Sequence, residues 1–360
     1  GVHALGERIC FMVTKLSQSN DAVYIAVDLG ASSGRVLAGA WSGSSLELID
    51  VHRFATPSQK IRGKWHWDLL FLYSEILTGL RLASQRFGER IVSIGVDTWG
   101  VDYGLLDENG ELLANPVCYR DGRTDGVPEE VCAALTRERI YAETGIQFMF
   151  FNTIYQFAAE RRENRAAFRA AKRMLFLPDL LNFWLSGKQA TERSIASTSQ
   201  MLNPKTRDWS EPILEHLGLE KAFLGEVIEA GAKLGKVTPE VAEAIGRGSI
   251  EVVAAAGHDT ASAFMALPET RPDYAVLSSG TWSIMGLELD VIAAVVLGGA
   301  SIFGGRGSVL GTMIGVFTLV MVKNSLILMK VDTTWQRVVV GMIIIAATAI
   351  TAWRDRKKLA

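Results

Sequence analysis

The chain of 360 residues is long enough for about two to three domains of ordinary size. Its net charge of −2 conceals two regimes: residues 291–360 carry eight basic and two acidic side chains, and the remainder carries 29 basic and 37 acidic ones. This contrast suggests that residues 291–360 and the rest of the chain lie in different solvent environments. Because the acidic part has no basic patch interleaved with aromatic residues, we exclude nucleic acid as its partner. The three cysteines share no metal-ligand spacing, which argues against zinc.

The chain begins with a segment that we do not assign to the fold. Residues 1–20 predict a disordered extension, and their short apolar run lacks the length and cleavage pattern of a signal peptide. The β-branched run AVYIAVDL at residues 22–29 then predicts a buried strand. Two further strands follow at hairpin spacing, over residues 36–41 and 46–54.

The turn between the first two strands, Gly30 to Gly34, is the first candidate for ligand binding. Glycine allows a ligand to approach the backbone closely. The hydroxyls of Ser32 and Ser33, the main-chain N–H groups and Arg35 can all donate hydrogen bonds to phosphate oxygens. The pattern is neither a Walker A loop nor a GxGxxG fingerprint, so an ordinary hairpin turn is an equal alternative.

The middle of the chain predicts further elements of an α/β protein. Apolar residues at helical spacing over residues 67–87 predict a crossover helix, which leads to a buried strand over residues 91–97. Residues 101–107 and 111–119 predict a hairpin, and residues 128–233 predict mostly helices. A basic run within them is typical of a solvated helix face and comprises Arg161, Arg162, Arg165, Arg169 and Lys172.

Polar residues follow the buried strand that ends at Asp97. Because open α/β sheets bind ligands at the carboxyl ends of their strands, Asp97, Thr98 and Gly100 form a second candidate site. A lone aspartate that caps a turn is an equal alternative for Asp97.

A third candidate follows the strand predicted over residues 251–256. Asp259 comes just after this strand, and small residues open a helix behind it, which is the geometry of a general base that reaches into a cleft. A last strand over residues 274–278 ends in Ser278–Thr281, which repeats the serine and glycine chemistry of Ser32–Gly34. Two such turns with a carboxylate between them favour phosphoryl transfer.

Six segments, taken in this order, resemble the carbohydrate kinases of the FGGY family. They are VDLGASSGRV, SIGVDTWGVDYGLLD, YRDGRTDG, TGIQFMFFNTIYQ, GHDTASA and LSSGTWSIMG, and they run over residues 22–287. The resemblance implies an α/β fold of two actin-like (ribonuclease-H-like) domains that bind ATP and a sugar in the cleft between them. It assigns residues 21–265 to the first domain and residues 266–287 to a truncated start of the second.

The resemblance also implies roles for individual residues. Asp28 would help to hold the hydration shell of Mg²⁺. The contacts to ATP would come from Ala31, Ser32, Ser33, Gly34, Arg35 and, in the second domain, Thr281. The contacts to the sugar would come from Gly100, His258, Asp259 and Thr260. Asp259 would be the catalytic base that takes the proton from the C1 hydroxyl of L-rhamnulose, or of a related ketose, as that oxygen attacks the γ-phosphate.

Residues 288–360 do not continue the kinase pattern. They resemble the C-terminal end of the membrane permeases of ribose-type sugar ABC importers, which implies a short all-α transmembrane tail. Residues 308–329 would form about 33 Å of helix, enough to cross a bilayer, and residues 337–353 would form a second span. Lys323 and Asn324 interrupt the first span, so a buried helix of a soluble protein is its alternative.

Three functional hypotheses follow. The first is an ATP- and Mg²⁺-dependent sugar kinase that lies in the cytoplasm, has its tail in the inner membrane and is impaired by the loss of most of its second domain. The second is a membrane subunit or fragment of a sugar ABC importer, which would assemble with other transporter subunits. The third is a non-functional gene chimera, joined over residues 286–290.

Overall fold

The computed structural model describes residues 22–266, 275–279, 283–287 and 342. The chain divides into two compact units, Gly1–Met265 and Ala266–Ala360. The extension expected at residues 1–20 lies outside the described residues.

The first unit alternates strands and helices. Its strands are Ala22–Leu29 (β1), Ser33–Trp41 (β2), Leu46–Ala55 (β3), Ser58–Ile61 (β4), Lys64–Trp67 (β5), Ile91–Thr98 (β6), Tyr103–Leu106 (β7), Arg173–Phe176 (β8), Thr191–Glu192 (β9), Leu202–Asn203 (β10), Asp208–Trp209 (β11), Val227–Ile228 (β12), Lys233–Lys236 (β13) and Glu251–Val253 (β14). Its α-helices are Leu69–Phe87 (α1), Val127–Ala134 (α2), Arg137–Thr144 (α3), Thr153–Arg162 (α4), Ala166–Ala170 (α5), Leu177–Ser186 (α6), Arg193–Ser197 (α7), Glu211–Leu217 (α8), Lys221–Leu224 (α9), Pro239–Ile245 (α10) and Asp259–Met265 (α11).

A six-stranded sheet in the order β13-β14-β6-β1-β2-β3 forms the centre of this unit. β1 pairs in parallel with β6, and β6 pairs in parallel with β14, whereas β2, β3 and β13 run antiparallel to their neighbours. Every second residue of β1 is buried, because alternate side chains of a strand point to the same face. The parallel pairing requires long crossovers, which contain helices α1 to α10, whereas α11 follows β14.

Helix α1 covers one face of the sheet. Asp68 begins it by accepting a hydrogen bond from Phe71 N at 3.2 Å, which satisfies one of the unpaired N–H groups of the first turn. The buried residues recur three or four positions apart, as in an amphipathic helix, and are Leu69, Leu72, Ile76, Gly79, Leu80, Ala83 and Phe87. The helix packs against β2 and β3.

A second apolar core lies beside the sheet, within residues 103–224. It is built from helices α2, α3, α4, α7 and α8 together with β7 and β8, and its centre includes the fully buried side chains of Ile154, Tyr155 and Phe157. Four two-stranded pairs border the two cores: β4 with β5, β7 with β8, β9 with β12, and β10 with β11. The hairpin of β4 and β5 was not predicted.

The hairpin predicted after β6 forms only in part. Leu106 and Leu112 form an antiparallel bridge, and Leu113 N donates to Leu105 O at 2.9 Å. The longer ladder of β7 is the antiparallel one with β8, with Tyr103 opposite Phe176, and this ladder was not predicted. All four residues of β7 are buried, so a partner on the second core covers more apolar surface than a local hairpin would.

The basic run predicted as one solvated helix face is also different. Helix α4 ends at Arg162, and Asn164 has a left-handed backbone with φ of 50° that separates it from α5. Arg165 turns inward and donates to the buried Glu160 at 2.7 Å. The side chain of Arg161 caps carbonyl groups at the end of α8.

The described part of the second unit is an antiparallel hairpin of Ala275–Ser279 (β15) and Ser283–Leu287 (β16). Thr281 lies outside the described residues, and so do the two expected membrane spans, apart from the helical residue Met342. In the part of the chain that the structure describes, we find no helix with the length and apolar character that a membrane crossing needs.

Candidate active site

Three parallel strands bring three aspartates to one edge of the central sheet. Asp28 stands opposite Asp97 in the register of β1 and β6, and Asp259 follows β14 and opens α11. Thr98 N donates to Gly257 O at 2.9 Å, so the end of β6 is tied to the turn that precedes Asp259. Because this edge is formed by the carboxyl ends of parallel strands, it is where an α/β sheet binds its ligands.

Asp97 lies at the centre of these carboxylates. Burial, followed by the charges of Asp28 and Asp259, raises its pKa well above the ordinary value, and a hydrogen bond with Ser262 offsets part of this effect. A cation relieves such repulsion, and Mg²⁺ prefers oxygen ligands while keeping part of its water shell. Among the described residues, no three acidic, histidine or cysteine side chains converge closely enough to hold an ion directly. Carboxylates grouped in this way have the chemistry that suits a divalent cation with part of its water shell.

The turn between β1 and β2 is shorter than the sequence predicts. Gly30 N donates to Ser33 O at 3.0 Å, and β2 already begins at Ser33. The hydroxyl of Thr56 donates to Gly30 O at 3.0 Å and holds the turn from the end of β3. Ser32 and Ser33 are exposed, so their hydroxyls are accessible to a phosphate group at this position.

Gly34 and Arg35 continue from this turn into β2. A Cβ atom on Gly34 would stand 2.5 Å from Phe54 Cε2, so close packing against the ring requires glycine here. The Nε and Nη2 atoms of Arg35 each lie 2.7 Å from Asp28 Oδ2. The half-exposed guanidinium is therefore held by Asp28 at the start of β2.

The turn Gly257–Asp259 is held by a buried carboxylate from another part of the chain. Glu192 is 2% exposed, and its Oε2 accepts a hydrogen bond from Gly257 N at 2.8 Å. The same carboxylate caps α7 by accepting from Ser194 N at 2.9 Å and Ile195 N at 3.1 Å. Glu192 thereby joins the start of α7 to the residues around Asp259.

His258 and Asp259 themselves lie side by side. His258 Nε2 is 3.4 Å from Asp259 Oδ1, which also accepts hydrogen bonds from Thr260 N at 2.6 Å and Thr260 Oγ1 at 3.1 Å. Burial lowers the pKa of His258, so the imidazole is neutral at pH 7 and can hydrogen-bond a hydroxyl group. The Asp259 side chain keeps 36% of its surface exposed, which leaves it accessible to a substrate.

Gly100 lies on the turn that follows β6. Trp99 N donates to Leu29 O at 3.1 Å, which places this turn beside the end of β1. A Cβ atom on Gly100 would stand 3.1 Å from Thr198 Cγ2, just after α7. Glycine therefore allows this turn to pack closely against the end of that helix.

The structure thus places Asp28, Ala31–Arg35, Gly100 and His258–Thr260 along one edge of the sheet. Two supporting residues were not predicted. Arg120 Nη2 donates to Ala31 O at 3.3 Å, and its signal was the polar interruption at Tyr119-Arg120-Asp121. Nothing in the sequence around Glu192 distinguishes it from an ordinary charged residue.

Two family profiles match the chain in succession. The profile of the FGGY family of carbohydrate kinases, N-terminal domain, matches residues 23–266. The profile of the branched-chain amino acid transport system / permease component matches residues 274–348. The second match begins before residues 277–286, which we expected to belong to the kinase pattern.

Relatives named rhamnulokinase are similar to the chain over the kinase part. The protein of Bacteroides thetaiotaomicron is 42% identical over 290 residues, which are 81% of this chain and 60% of that protein. The protein of Halalkalibacterium halodurans is 44% identical over 264 residues, which are 73% of this chain and 56% of that protein. The chain therefore spans little more than half the length of these relatives.

Solved sugar kinases share the fold. The xylulose kinase from Rhodospirillum rubrum has a TM-score of 0.63 and 21% identity, and the match covers 71% of this chain and 53% of that one. The glycerol kinase of Plasmodium falciparum with ADP has a TM-score of 0.59 and 16% identity, with coverage of 66% and 48%. The expected α/β, actin-like sugar-kinase fold is confirmed for the kinase part.

Proposed function

The chain belongs to the FGGY family of carbohydrate kinases, and from this we propose that it transfers the γ-phosphate of ATP to the C1 hydroxyl of L-rhamnulose or a related ketose. The observation that carries the proposal is the sheet edge at which Asp28, Asp97 and Asp259 meet beside a small polar turn. The relatives named rhamnulokinase, at 42% and 44% identity, support the choice of sugar.

Asp259 is the catalytic base of this proposal. It takes the proton from the C1 hydroxyl as the oxygen attacks phosphorus, a contribution of about 10²- to 10⁴-fold in rate for a well-placed base. The neutral imidazole of His258 and the hydroxyl of Thr260 bind neighbouring hydroxyl groups, and Gly100 lies against the sugar. The Asp259 side chain is partly exposed and lies beside the turn at Gly257, which is buried and held by a hydrogen bond. Both properties support Asp259 as the base.

The first turn holds the phosphates of ATP. The exposed hydroxyls of Ser32 and Ser33, the backbone from Ala31 to Gly34 and the guanidinium of Arg35 donate hydrogen bonds to them. Mg²⁺, when bound with the triphosphate, supplies positive charge that offsets the charge on the transferring group. Asp28, with Asp97 beside it, accepts hydrogen bonds from its water shell. This division of roles suits a reaction that depends mainly on positioning and charge neutralisation.

The test uses the full chain in detergent with Mg·ATP and L-rhamnulose, with the aldose L-rhamnose as the control sugar. We expect ADP release that requires both L-rhamnulose and Mg²⁺ and is lost in Asp259→Asn. Calorimetric binding of L-rhamnulose provides a second readout that does not require turnover. ADP release unchanged in Asp259→Asn, or the absence of both turnover and sugar binding, would contradict the proposal.

We further propose that residues 288–360 anchor the kinase part on the cytoplasmic face of the inner membrane through spans at 308–329 and 337–353. The permease match over residues 274–348 and the net charge of +6 in residues 291–360 favour this function. Carbonate extraction of membranes tests it against a variant that stops after Leu287. We expect the full chain in the membrane pellet and the shortened chain in the supernatant; equal distribution of the two would refute the anchor.

The same preparation distinguishes an anchor from an importer subunit. A ribose-type sugar ABC importer needs an ATPase subunit, so a transporter subunit retains an ABC ATPase on purification in mild detergent. An anchored kinase without such a partner purifies alone and keeps its sugar binding.

A further inference from the structure

The turn after β6 contains a backbone conformation that its sequence does not favour. Val101 has φ of 71°, in the left-handed region. A β-branched side chain rarely adopts this conformation, because its branched Cβ crowds the backbone there. Such a residue persists when its surroundings hold it in place, and residues of this kind cluster at functional sites. Gly100, next to it, is the residue that we place against the sugar.

Three side chains from two other segments hold the Val101 backbone. Val101 N donates to Thr198 Oγ1 at 3.0 Å, at the end of α7. Val101 O accepts from Thr153 Oγ1 at 2.8 Å and from Gln156 Nε2 at 3.3 Å, both on α4. The peptide groups on either side of the strained residue are therefore fixed by hydrogen bonds from outside the turn.

The next residue, Asp102, has a fully buried carboxylate that faces donors alone. Its Oδ2 accepts from Trp67 Nε1 at 2.6 Å, Trp99 Nε1 at 3.0 Å and Tyr119 N at 3.1 Å. Its Oδ1 accepts from Gln156 Nε2 at 3.3 Å. One side chain thus joins the end of β5, the turn after β6, the segment at Tyr119 and helix α4.

These contacts lead to both substrate positions of the candidate site. Trp99 precedes Gly100, and its ring packs on Trp67 at a centroid distance of 4.2 Å. The guanidinium of Arg120 lies over the rings of Trp67 and Tyr119, at 5.9 Å and 5.3 Å, and donates to Ala31 O at 3.3 Å. A displacement at Asp102 therefore changes the turn that carries Gly100 directly and reaches the phosphate turn through further contacts.

We propose that Asp102 is a positioning residue for the sugar: it gathers the indole N–H groups of Trp67 and Trp99 and so holds Val101 in its strained conformation and Gly100 against the ring. The inference rests on the proposed function, in which Gly100 contacts the sugar. It does not assign Asp102 any contact with substrate.

Protonation of Asp102 provides a readout that a merely structural role does not predict. Burial raises the pKa of this carboxyl to about 6, against the lowering effects of the hydrogen bonds from Trp67, Trp99 and Tyr119 N and the charge of Arg123. The other titratable groups that interact with it are Cys118, Tyr103 and Tyr119, whose pKa values burial also raises, so all three are neutral near pH 6. A protonated Asp102 carries an O–H donor that faces other donors, the N–H groups described above. It therefore accepts hydrogen bonds less well, and the turn that contains Gly100 and Val101 loosens.

The experiment compares three variants of the full chain: Asp102→Asn, Trp67→Phe and the control Trp209→Phe. Both tryptophan variants remove one buried indole N–H bond, but Trp209 donates to Gly225 O at 3.0 Å in the second core, away from Asp102. Calorimetry with L-rhamnulose and with Mg·ATP gives the two affinities, and thermal unfolding gives stability.

We expect Asp102→Asn to weaken L-rhamnulose binding by about tenfold or more, the loss typical of a hydrogen bond to a charged group. Trp67→Phe weakens it in the same direction, whereas Mg·ATP affinity changes by less than about threefold in both, because the effect on the phosphate turn is indirect. In the unsubstituted chain the sugar affinity falls about tenfold from pH 7 to pH 5, and this dependence is absent in Asp102→Asn. Trp209→Phe lowers stability without changing either affinity.

The outcomes separate this inference from the proposed function. Failure of the unsubstituted chain to bind L-rhamnulose counts against the proposed function. In that case hydrogen exchange tests the positioning role without a ligand. The amides of residues 99–102 must then exchange faster in Asp102→Asn than in the unsubstituted chain, with the exchange of the β14 amides unchanged. Binding of the sugar with equal affinity by Asp102→Asn and the unsubstituted chain overturns the inference alone. So does a parallel loss of both affinities that follows the loss of stability.

Discussion

The Glu160→Gln variant removes a single charge from a buried group of ion pairs in the second core. Glu160 Oε1 accepts from Arg123 Nη1 at 2.5 Å and from Arg165 Nη1 at 2.7 Å. The side chains of Arg123 and Glu160 are 2% and 1% exposed. Within the described residues, Glu160 Oε2 has no hydrogen-bond partner. A glutamine therefore keeps the shape and the bonded oxygen of the side chain and loses the negative charge.

The expected cost follows from the burial of Arg123. When one partner of a buried ion pair is neutralised, the other charge stays in a low-dielectric interior, at a cost of about 3–5 kcal/mol. Glu163 is a matched control, because its bond to Lys64 at 2.6 Å joins side chains that are 28% and 32% exposed. Such accessible pairs contribute about 0–1 kcal/mol. We therefore expect the free energy of unfolding to fall by about 3–5 kcal/mol in Glu160→Gln and by about 0–1 kcal/mol in Glu163→Gln.

Urea unfolding followed by tryptophan fluorescence measures both variants against the unsubstituted chain. The slope of the free energy with urea concentration is expected to stay the same, because neither substitution changes the surface exposed on unfolding. If Glu160→Gln loses no more stability than Glu163→Gln, the buried charge is compensated by other groups and the reasoning is wrong.

Three further predictions concern the site. Asp259→Asn is expected to lower turnover by about 10²- to 10⁴-fold while L-rhamnulose still binds in calorimetry; retained turnover would remove Asp259 from the role of base. Gly34→Ala is expected to destabilise the chain by about 1–3 kcal/mol in urea, because its Cβ would stand 2.5 Å from Phe54 Cε2, whereas Gly248→Ala, with 3.4 Å to its nearest neighbour, serves as a neutral control. The pKa of Asp102 rises from 3.8 to about 6 on folding, so the folded state takes up a proton first and the free energy of unfolding rises as the pH falls from 7 to 4, by about 2 kcal/mol relative to Asp102→Asn. A constant difference between the two proteins across this range would show that Asp102 titrates as it does in the unfolded chain.

Local patterns in the sequence were sufficient for the central elements. The apolar alternation of β1 and the helical spacing of α1 are properties of short windows, and both elements lie close to their predicted bounds. Asp97 and Asp259 could be noticed for the same reason, since each was predicted at or just after the end of a buried strand. Asp28 was singled out only by the resemblance to the FGGY family.

Long-range contacts could not be derived in this way. β7 forms its ladder with β8, far along the chain, in addition to the short local hairpin, and no local signal indicates this second partner. Glu192 holds the turn at Gly257 from a distant segment, and its sequence neighbours carry no sign of that contact. The left-handed conformation of Val101 opposes its own propensity and follows from the hydrogen bonds that surround it.

The place of β14 in the sheet has a consequence for how the chain folds during synthesis. It is the last strand of the central sheet to leave the ribosome, yet it pairs between β6 and β13 rather than at an edge. Until it arrives, β6 presents an unpaired edge of the kind that associates with other chains. Pairings between distant segments also form slowly, because the loop between them must close first. The carboxyl ends of the parallel strands, where Asp259 lies, are therefore completed last. A nascent chain that ends before β14 lacks both this strand of the sheet and the proposed base.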